Sequence, residues 1–62
     1  MPPITKLKSK RQQENLTQLE VAQKASISIL SYQRYEAGKR RPSVDTAKLM
    51  AKALNCTIEE LF

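Results

Sequence analysis

The sequence predicts an all-α fold of five short helices, and three observations support this class. Apolar residues recur at intervals of three and four, as they do along the buried face of a helix. The chain has one glycine and no alternating run of β-branched residues. Thr17 with Glu20, and Thr57 with Glu60, have the spacing of a capping box, which opens a helix. A chain of 62 residues allows one small core, so we expect a single domain over 1–62.

The first helix is predicted over about 3–14, where Ile4, Leu7 and Arg11 recur on one face after Pro3. Proline suits a first helical turn because the N–H that it lacks would have no partner there. We therefore expect this face, including Arg11, to pack against the rest of the domain.

The second and third helices are predicted over about 18–25 and 28–37, with only two residues between them. Helices joined by so short a turn cross steeply, as in a helix-turn-helix, here over about 17–37. Gly38 can adopt the left-handed conformation that ends the third helix. The alternative is an ordinary helical hairpin without a ligand.

The last two helices are predicted after the cap residues Ser43 and Thr57, with Asn55 ending the fourth. One face of the fourth helix is apolar and is expected to be buried: Val44, Ala47, Met50, Ala51 and Leu54. The fifth helix carries Ile58, Leu61 and Phe62.

The net charge of +5 is unevenly distributed along the chain. Residues 1–41 carry nine basic and three acidic side chains, whereas residues 42–62 carry two basic and three acidic ones. The first two-thirds should therefore attract a polyanion. Basic side chains usually form only a solvated surface, but this asymmetry favours nucleic acid as a binding partner.

One cysteine and no histidine exclude structural zinc and an internal disulfide, and we expect no metal and no cofactor. Cys56 is predicted to be a small core residue of a reducing compartment rather than a reactive thiol. Without a nucleophile–base pair or a phosphate-binding glycine loop, enzyme activity is not expected. Since no run suits a membrane span or a signal-peptide core, we expect a cytoplasmic protein without a membrane partner.

The outward face of the third helix is the candidate for contact with bases. With Tyr32 toward the core, Leu30, Gln33 and Arg34 face outward and Ile29 lies on the flank. Arg34 suits guanine or a phosphate, and Gln33 suits adenine. Leu30 and Ile29 offer only apolar contact with thymine methyls or sugars. In the alternative, Ile29 is half core and Leu30 is merely exposed.

Other residues are expected to contact the sugar-phosphate backbone. The start of the second helix directs backbone N–H groups and the Gln18 amide at a phosphate, while Thr17 serves mainly as the cap. Lys10 adds charge from the first helix. The loop after the third helix adds three cations: Lys39, Arg40 and Arg41.

Glu36 is predicted near the core side of the third helix, where a carboxylate must have a cation as partner. Arg11, on the apolar face of the first helix, is the best candidate. The expected Arg11–Glu36 ion pair joins the first and third helices and has a structural role.

The stretch "LTQLEVAQKASISILSYQRYEAGKRRPS", followed by "AKLMAKALNCTIEELF", resembles the XRE family of helix-turn-helix regulators, relatives of the Cro and repressor proteins of lambdoid phages. The resemblance covers about residues 4–62. It implies a five-helix, lambda-repressor-like domain that binds operator DNA as a homodimer, encoded by a bacterium, phage or plasmid.

By position, the resemblance implies that Gln18 contacts phosphate and supports base recognition, and that Ile29, Leu30 and Gln33 read bases. It also implies backbone contacts by loop 39–41. Two further positions match the ion pair of the phage repressors: Arg11 and Glu36.

Two features depart from the family pattern. Ser26 stands where glycine is usual in the turn, and serine adopts a left-handed conformation less readily. Ile29 and Leu30 stand where polar residues are common, which shifts the expected readout toward thymine methyls and shape.

A helix-turn-helix covers a half-site, and two-fold pairing would place two third helices about 34 Å apart on DNA. The expected dimer contact comprises Leu49, Ile58, Leu61 and Phe62. In one alternative, Ile58, Leu61 and Phe62 simply close the core, and for Ile58 and Leu61 we prefer this interpretation. In another, the dimerising part lies outside this chain.

The first functional hypothesis is a sequence-specific transcriptional regulator that binds a pseudo-palindromic operator, with the third helix in the major groove of double-stranded DNA. The alternative is an antitoxin-type or antirepressor-type protein-interaction module of the same fold, in which Ile29 and Leu30 dock a protein.

Overall fold

The computed structural model describes residues 5–62, and all regular structure in that range is helical. The elements are α1 (Lys6–Gln13), α2 (Gln18–Lys24), α3 (Ile29–Glu36), α4 (Val44–Ala53) and a 3₁₀ helix (Ile58–Glu60). The all-α prediction is confirmed, but the number of five α-helices is not. After the cap at Thr57, the N–H of Leu61 bonds the Ile58 carbonyl three residues back, at 3.0 Å. This is the tighter hydrogen-bond pattern of a 3₁₀ turn.

Helix α1 begins at Lys6 because Thr5 caps it, accepting a hydrogen bond from the backbone N–H of Lys8 at 3.2 Å. The same Thr5 hydroxyl donates to the backbone carbonyl of Glu36 at 2.8 Å, tying the start of α1 to the end of α3. The predicted first-turn residues Pro3 and Ile4 lie outside the described residues.

The connection between α2 and α3 uses Ser26 in the left-handed conformation, at φ 58°. The N–H of Ser26 bonds the Gln23 carbonyl at 3.1 Å, and the N–H of Ile27 bonds the Ala22 carbonyl at 3.0 Å. This pair of bonds is the Schellman ending usually built on glycine. Ser26 therefore forms the same turn that glycine usually forms. Its positive φ has a higher conformational free energy for serine than for glycine.

The core lies where α2 packs against both α3 and α4, while α1 packs against α3 and the 3₁₀ helix. Its largest fully buried side chains are Tyr32, Leu7, Met50, Leu54, Leu61 and Val21. The prediction for Val44 is wrong: its side chain is 67% exposed. Val44 is the first residue of α4, one turn before Ala47, where the helix meets the core.

Within residues 5–62, no helix has the length and hydropathy that a bilayer span requires. In the same range, acidic, cysteine and histidine side chains do not gather in groups of three or more that suit a metal ion.

Candidate nucleic-acid interface

The exposed face of α3 brings together three of the four residues predicted to read bases. Leu30 is 55% exposed, and Gln33 and Arg34 are exposed beside it. Ile29 is half-buried and packs against the core, so it lies at the edge of this face. The face offers an apolar tip, an amide and a guanidinium, which are groups that can contact base edges in a major groove.

Behind this face, the Arg11 guanidinium is bound to both carboxylate oxygens of Glu36. Arg11 Nε donates to Glu36 Oε2 at 2.9 Å, and a terminal nitrogen donates to Oε1 at 3.0 Å. The other terminal nitrogen donates to the Leu16 carbonyl at 2.9 Å. Glu36 is 4% exposed, so its charge is held inside the domain. The two predicted partners thus form a bidentate ion pair that joins α1 to α3.

Gln18 joins that pair to the exposed face of α3. Its Nε2 donates to Glu36 Oε1 at 3.2 Å, and its Oε1 accepts from Gln33 Nε2 at 3.2 Å. Gln18 is half-buried, and as the first residue of α2 it lies at a helix N-terminus. Thr17 caps this helix by accepting from the N–H of Glu20 at 3.1 Å. We call Arg11, Glu36, Gln18 and Gln33 the polar relay.

Burial opposes the charge of Glu36, but the neighbouring donor groups, Arg11 first and then Tyr32 and Gln18, outweigh it and lower the pKa of this carboxyl below its usual value. The Glu36 carboxylate in turn raises the pKa of Arg11. Burial is also the main reason that the pKa of Tyr32 is raised. The Tyr32 hydroxyl is close enough to the pair to influence both pKa values. It is nevertheless the one buried side-chain polar atom, among the described residues, without a hydrogen bond of good geometry.

The cationic loop after α3 begins at Gly38, whose φ of 74° allows the chain to turn out of the helix. The backbone N–H of Lys39 bonds the Arg34 carbonyl at 3.0 Å, which completes the helix end. The three loop cations, which we predicted to contact backbone, are exposed: Lys39, Arg40 and Arg41. With Lys6 they line a cleft of about 530 Å³, so positive charge is concentrated at the end of α3.

On α1, the structure brings Lys8 rather than Lys10 to the polar relay. Lys8 lines a shallow hollow of about 140 Å³ with Gln18, Gln33 and Glu36. Lys10 lines a different hollow, beside the acidic 3₁₀ helix, and is not brought together with α3. Sequence reasoning missed Lys8, although its position three residues before Arg11 places it on the same side of the helix.

The four predicted dimer residues divide into exposed and buried side chains. Leu49 and Phe62 are 44% and 47% exposed. Ile58 is half-buried against the core, and Leu61 is 2% exposed. For Leu61 the structure agrees with the alternative that it closes the core, because its side chain is enclosed by this chain.

Comparisons with known proteins agree with this geometry. A family described as helix-turn-helix matches residues 7–61. The cryptic phage CTXphi transcriptional repressor RstR of Vibrio cholerae is 36% identical over 56 residues, which is 90% of this chain and 50% of the repressor. The transcriptional activator BcrR of Enterococcus faecalis is 34% identical over 56 residues, covering 90% of this chain and 28% of the activator. The chain thus spans half of one relative and less than a third of the other.

The crystal structure of the restriction-modification controller protein C.AhdI from Aeromonas hydrophila superposes with a TM-score of 0.87. The match covers 92% of this chain and 86% of the controller, at 26% sequence identity. Since the family match extends over most of the chain, the protein belongs to the XRE and Cro/repressor type of helix-turn-helix family.

Proposed function

We propose that this chain is a DNA-binding transcriptional regulator whose residues 1–62 act as one domain, with α3 in the major groove of double-stranded DNA. The observation that carries the proposal is the position of α3: its exposed face of Leu30, Gln33 and Arg34 ends at the cationic loop 39–41. A major groove is wide enough to admit a helix, and phosphates flank it on both sides. One face can therefore read bases while the loop contacts backbone.

Within this proposal, the contacts divide into two groups. Arg34 pairs with guanine or a phosphate, Gln33 with adenine, and Leu30 with a thymine methyl, while Ile29 adds apolar contact from the edge. The backbone contacts come from the capped start of α2 at Thr17 and Gln18, from Lys8, and from loop 39–41. Neither group requires a metal or cofactor, and the proposed activity is binding rather than catalysis.

The similar proteins support this assignment through what their names state. Two are named as transcriptional regulators, one a repressor and one an activator, and the third is a restriction-modification controller. We infer that this chain also acts on transcription. It would bind a pseudo-palindromic operator as a homodimer, because one helix-turn-helix covers only a half-site.

Selection of binding sites from random double-stranded DNA, followed by affinity measurement over a salt series, tests the proposal. We expect a two-fold symmetric motif and a linear decrease of log K with log salt concentration. Arg40→Ala should make the slope shallower by about 0.9, the value for one phosphate contact. Lys52→Ala, which removes an exposed cation from α4, is the matched control and should leave the slope unchanged. Failure to enrich any motif at low salt contradicts the proposal.

The exposed Leu30 is the observation that favours the alternative of a protein-docking module. An apolar protein contact would depend little on salt, whereas DNA binding through several phosphates weakens steeply. The same salt series, run with a captured protein partner in place of DNA, therefore separates the two functions.

A further inference from the structure

The cleft beside the loop that follows α3 has a positively charged rim. Four cations line it, one from α1 and three from the loop: Lys6, Lys39, Arg40 and Arg41. All four side chains are exposed, and within residues 5–62 none of them lies within salt-bridge distance of a carboxylate. We call this site the cationic cleft. Its charge is therefore available to an anion from outside the chain.

The rest of the lining of the cationic cleft is largely apolar. Leu7 and Leu61 line it from the core, and both are buried. Tyr35 is 9% exposed, whereas the Phe62 ring is 47% exposed. A phosphate of DNA could use the cations of the rim, but a sugar-phosphate backbone offers little apolar surface to an exposed aromatic ring. This lining therefore suits a ligand with an apolar body as well as a negative charge.

The size of the cationic cleft, about 530 Å³, is that of a small-molecule site. Such sites are mostly apolar, with a few polar groups that fix the orientation of the ligand. Of the four cations, only Arg41 also lines an adjoining apolar hollow of about 200 Å³, together with Pro42 and Phe62. Arginine binds carboxylate and phosphate groups through two parallel hydrogen bonds. Arg41 is therefore the cation best placed to hold the charged end of an amphipathic ligand.

We propose that the cationic cleft binds an anionic amphiphile, with an apolar body of about one or two aromatic rings and a phosphate or carboxylate group. The anionic group pairs with Arg41 and the neighbouring cations, and the body contacts Phe62. Because the loop cations 39–41 are also the proposed backbone contacts, the ligand and operator DNA exclude one another. The ligand would thus release the domain from DNA. This exclusion rests on the proposed function, whereas binding of the ligand does not.

Isothermal titration calorimetry of the 62-residue chain without DNA tests the binding step, with naphthyl phosphate as the probe. We expect a Kd of about 0.2 mM, as for a weak ligand of this size. Inorganic phosphate carries the charge alone and naphthol the rings alone, so each should bind at least about tenfold more weakly. Amide NMR shifts caused by naphthyl phosphate should be confined to the residues that line the cleft.

Variants of the two ends of the site should each weaken naphthyl phosphate binding. Arg41→Ala should raise the Kd about tenfold through the lost charge-assisted hydrogen bonds, whereas Lys52→Ala, at an exposed cation of α4, should not. Phe62→Ser should raise it about fivefold. Its matched control is Leu49→Ser, at the other exposed residue of the predicted dimer contact, which lies outside the cleft lining. Circular dichroism at the titration temperature checks that each variant is folded.

Competition with DNA is measured by fluorescence anisotropy of a labelled operator obtained by selection. At ten times its own Kd, naphthyl phosphate should raise the apparent operator Kd about tenfold. Inorganic phosphate at the same concentration gives the effect of ionic strength alone.

The outcomes separate this inference from the proposed function. Equal affinity for naphthyl phosphate and inorganic phosphate would overturn the amphiphile site. So would an affinity that falls as the protein dimerises at higher concentration, since a second copy would then cover the cleft. Ligand binding without loss of operator affinity beyond the phosphate control overturns the exclusion. If the ligand binds but no operator is selected, the ligand site stands and the proposed function fails.

Discussion

The Arg11 guanidinium holds both carboxylate oxygens of Glu36, at 2.9 and 3.0 Å, although the residues are 25 positions apart. Glu36 is 4% exposed, and Arg11 uses its remaining terminal nitrogen for the Leu16 carbonyl. The Glu36 carboxylate therefore has a counter-ion and a hydrogen bond to each oxygen at the junction of α1, α2 and α3. Burying such a pair need not stabilise a protein relative to apolar side chains, but breaking it is costly. We therefore expect the pair to disfavour other arrangements of these three helices, in which either charge would lose its partner.

Glu36→Ala should lower the free energy of unfolding by about 3 kcal/mol, the lower end for a broken buried pair, since Arg11 keeps some contact with water. Thermal and urea denaturation followed by circular dichroism would measure the change. The double variant Arg11→Ala/Glu36→Ala should cost less than the sum of the two single variants. Glu59→Ala, at an exposed carboxylate, is the control. An unchanged melting temperature for Glu36→Ala would refute the structural role.

Stability should decrease in acid because the folded state lowers the pKa of Glu36 below its usual 4.5. The contribution of the ionised carboxyl is complete above that usual value and is lost as the pH falls through the lower folded-state pKa. Melting temperatures measured from neutral pH into acid should therefore fall less steeply for Glu36→Gln than for the wild type. The pKa of Glu20 is also lowered, by its hydrogen bond from the Thr17 backbone. Since Glu20 is exposed, Glu20→Gln should reduce the fall of the melting temperature in acid by less than Glu36→Gln does.

Ser26→Gly should stabilise the protein by up to about 1 kcal/mol, because glycine adopts the positive φ of 58° without the steric cost that a Cβ brings. Gly38→Ala should have the opposite effect, by about 1 kcal/mol. No atom lies within 4 Å of the added Cβ, so its cost is conformational. Asn15→Gly is the control, since asparagine tolerates its φ of 56° better than serine does. Equal melting temperatures for wild type and Ser26→Gly would contradict this view of the turn.

Leu30→Ala should weaken operator binding about fourfold if Leu30 packs on a thymine methyl, which corresponds to roughly 0.8 kcal/mol for one buried methyl group. Replacing that thymine by uracil removes the methyl and should produce the same loss. The two changes together should cost little more than either alone, because each removes the same contact. Fluorescence anisotropy with labelled operators measures all four combinations. Independent, additive losses would show that Leu30 touches something else.

Leu49→Glu and Phe62→Glu should shift a homodimer toward monomers in analytical ultracentrifugation, because both side chains are exposed and apolar. Leu19→Glu, at an exposed leucine on α2, is the control and should not change the sedimentation behaviour. Leu61→Ala should instead destabilise the fold, by about 2–5 kcal/mol, as expected for a buried leucine. If both glutamate variants sediment like the wild type, the dimer contact lies elsewhere.

The helix starts and stops were predictable because they depend on residues a few positions apart. Thr17, Ser28 and Ser43 each cap a helix through the N–H three residues on. The left-handed residue that ends α1, Asn15, lies one residue beyond the C-cap. The exposed face of α3 followed from helical periodicity, once Tyr32 was taken as buried. The length of the last helix could not be predicted from the sequence, because a capping box indicates where a helix begins and not how many turns follow.

The amino-acid sequence by itself determined the all-α class, the short turn between α2 and α3, and the side of α3 that faces solvent. Only the tertiary structure decided that Gln18 bridges Glu36 and Gln33, that Lys8 rather than Lys10 lies beside them, and that Leu61 is enclosed while Val44 is not. Periodicity specifies the direction of a side chain around its own helix. Which groups meet depends on the angles and distances between helices far apart in sequence, and those are set by packing in the shared core.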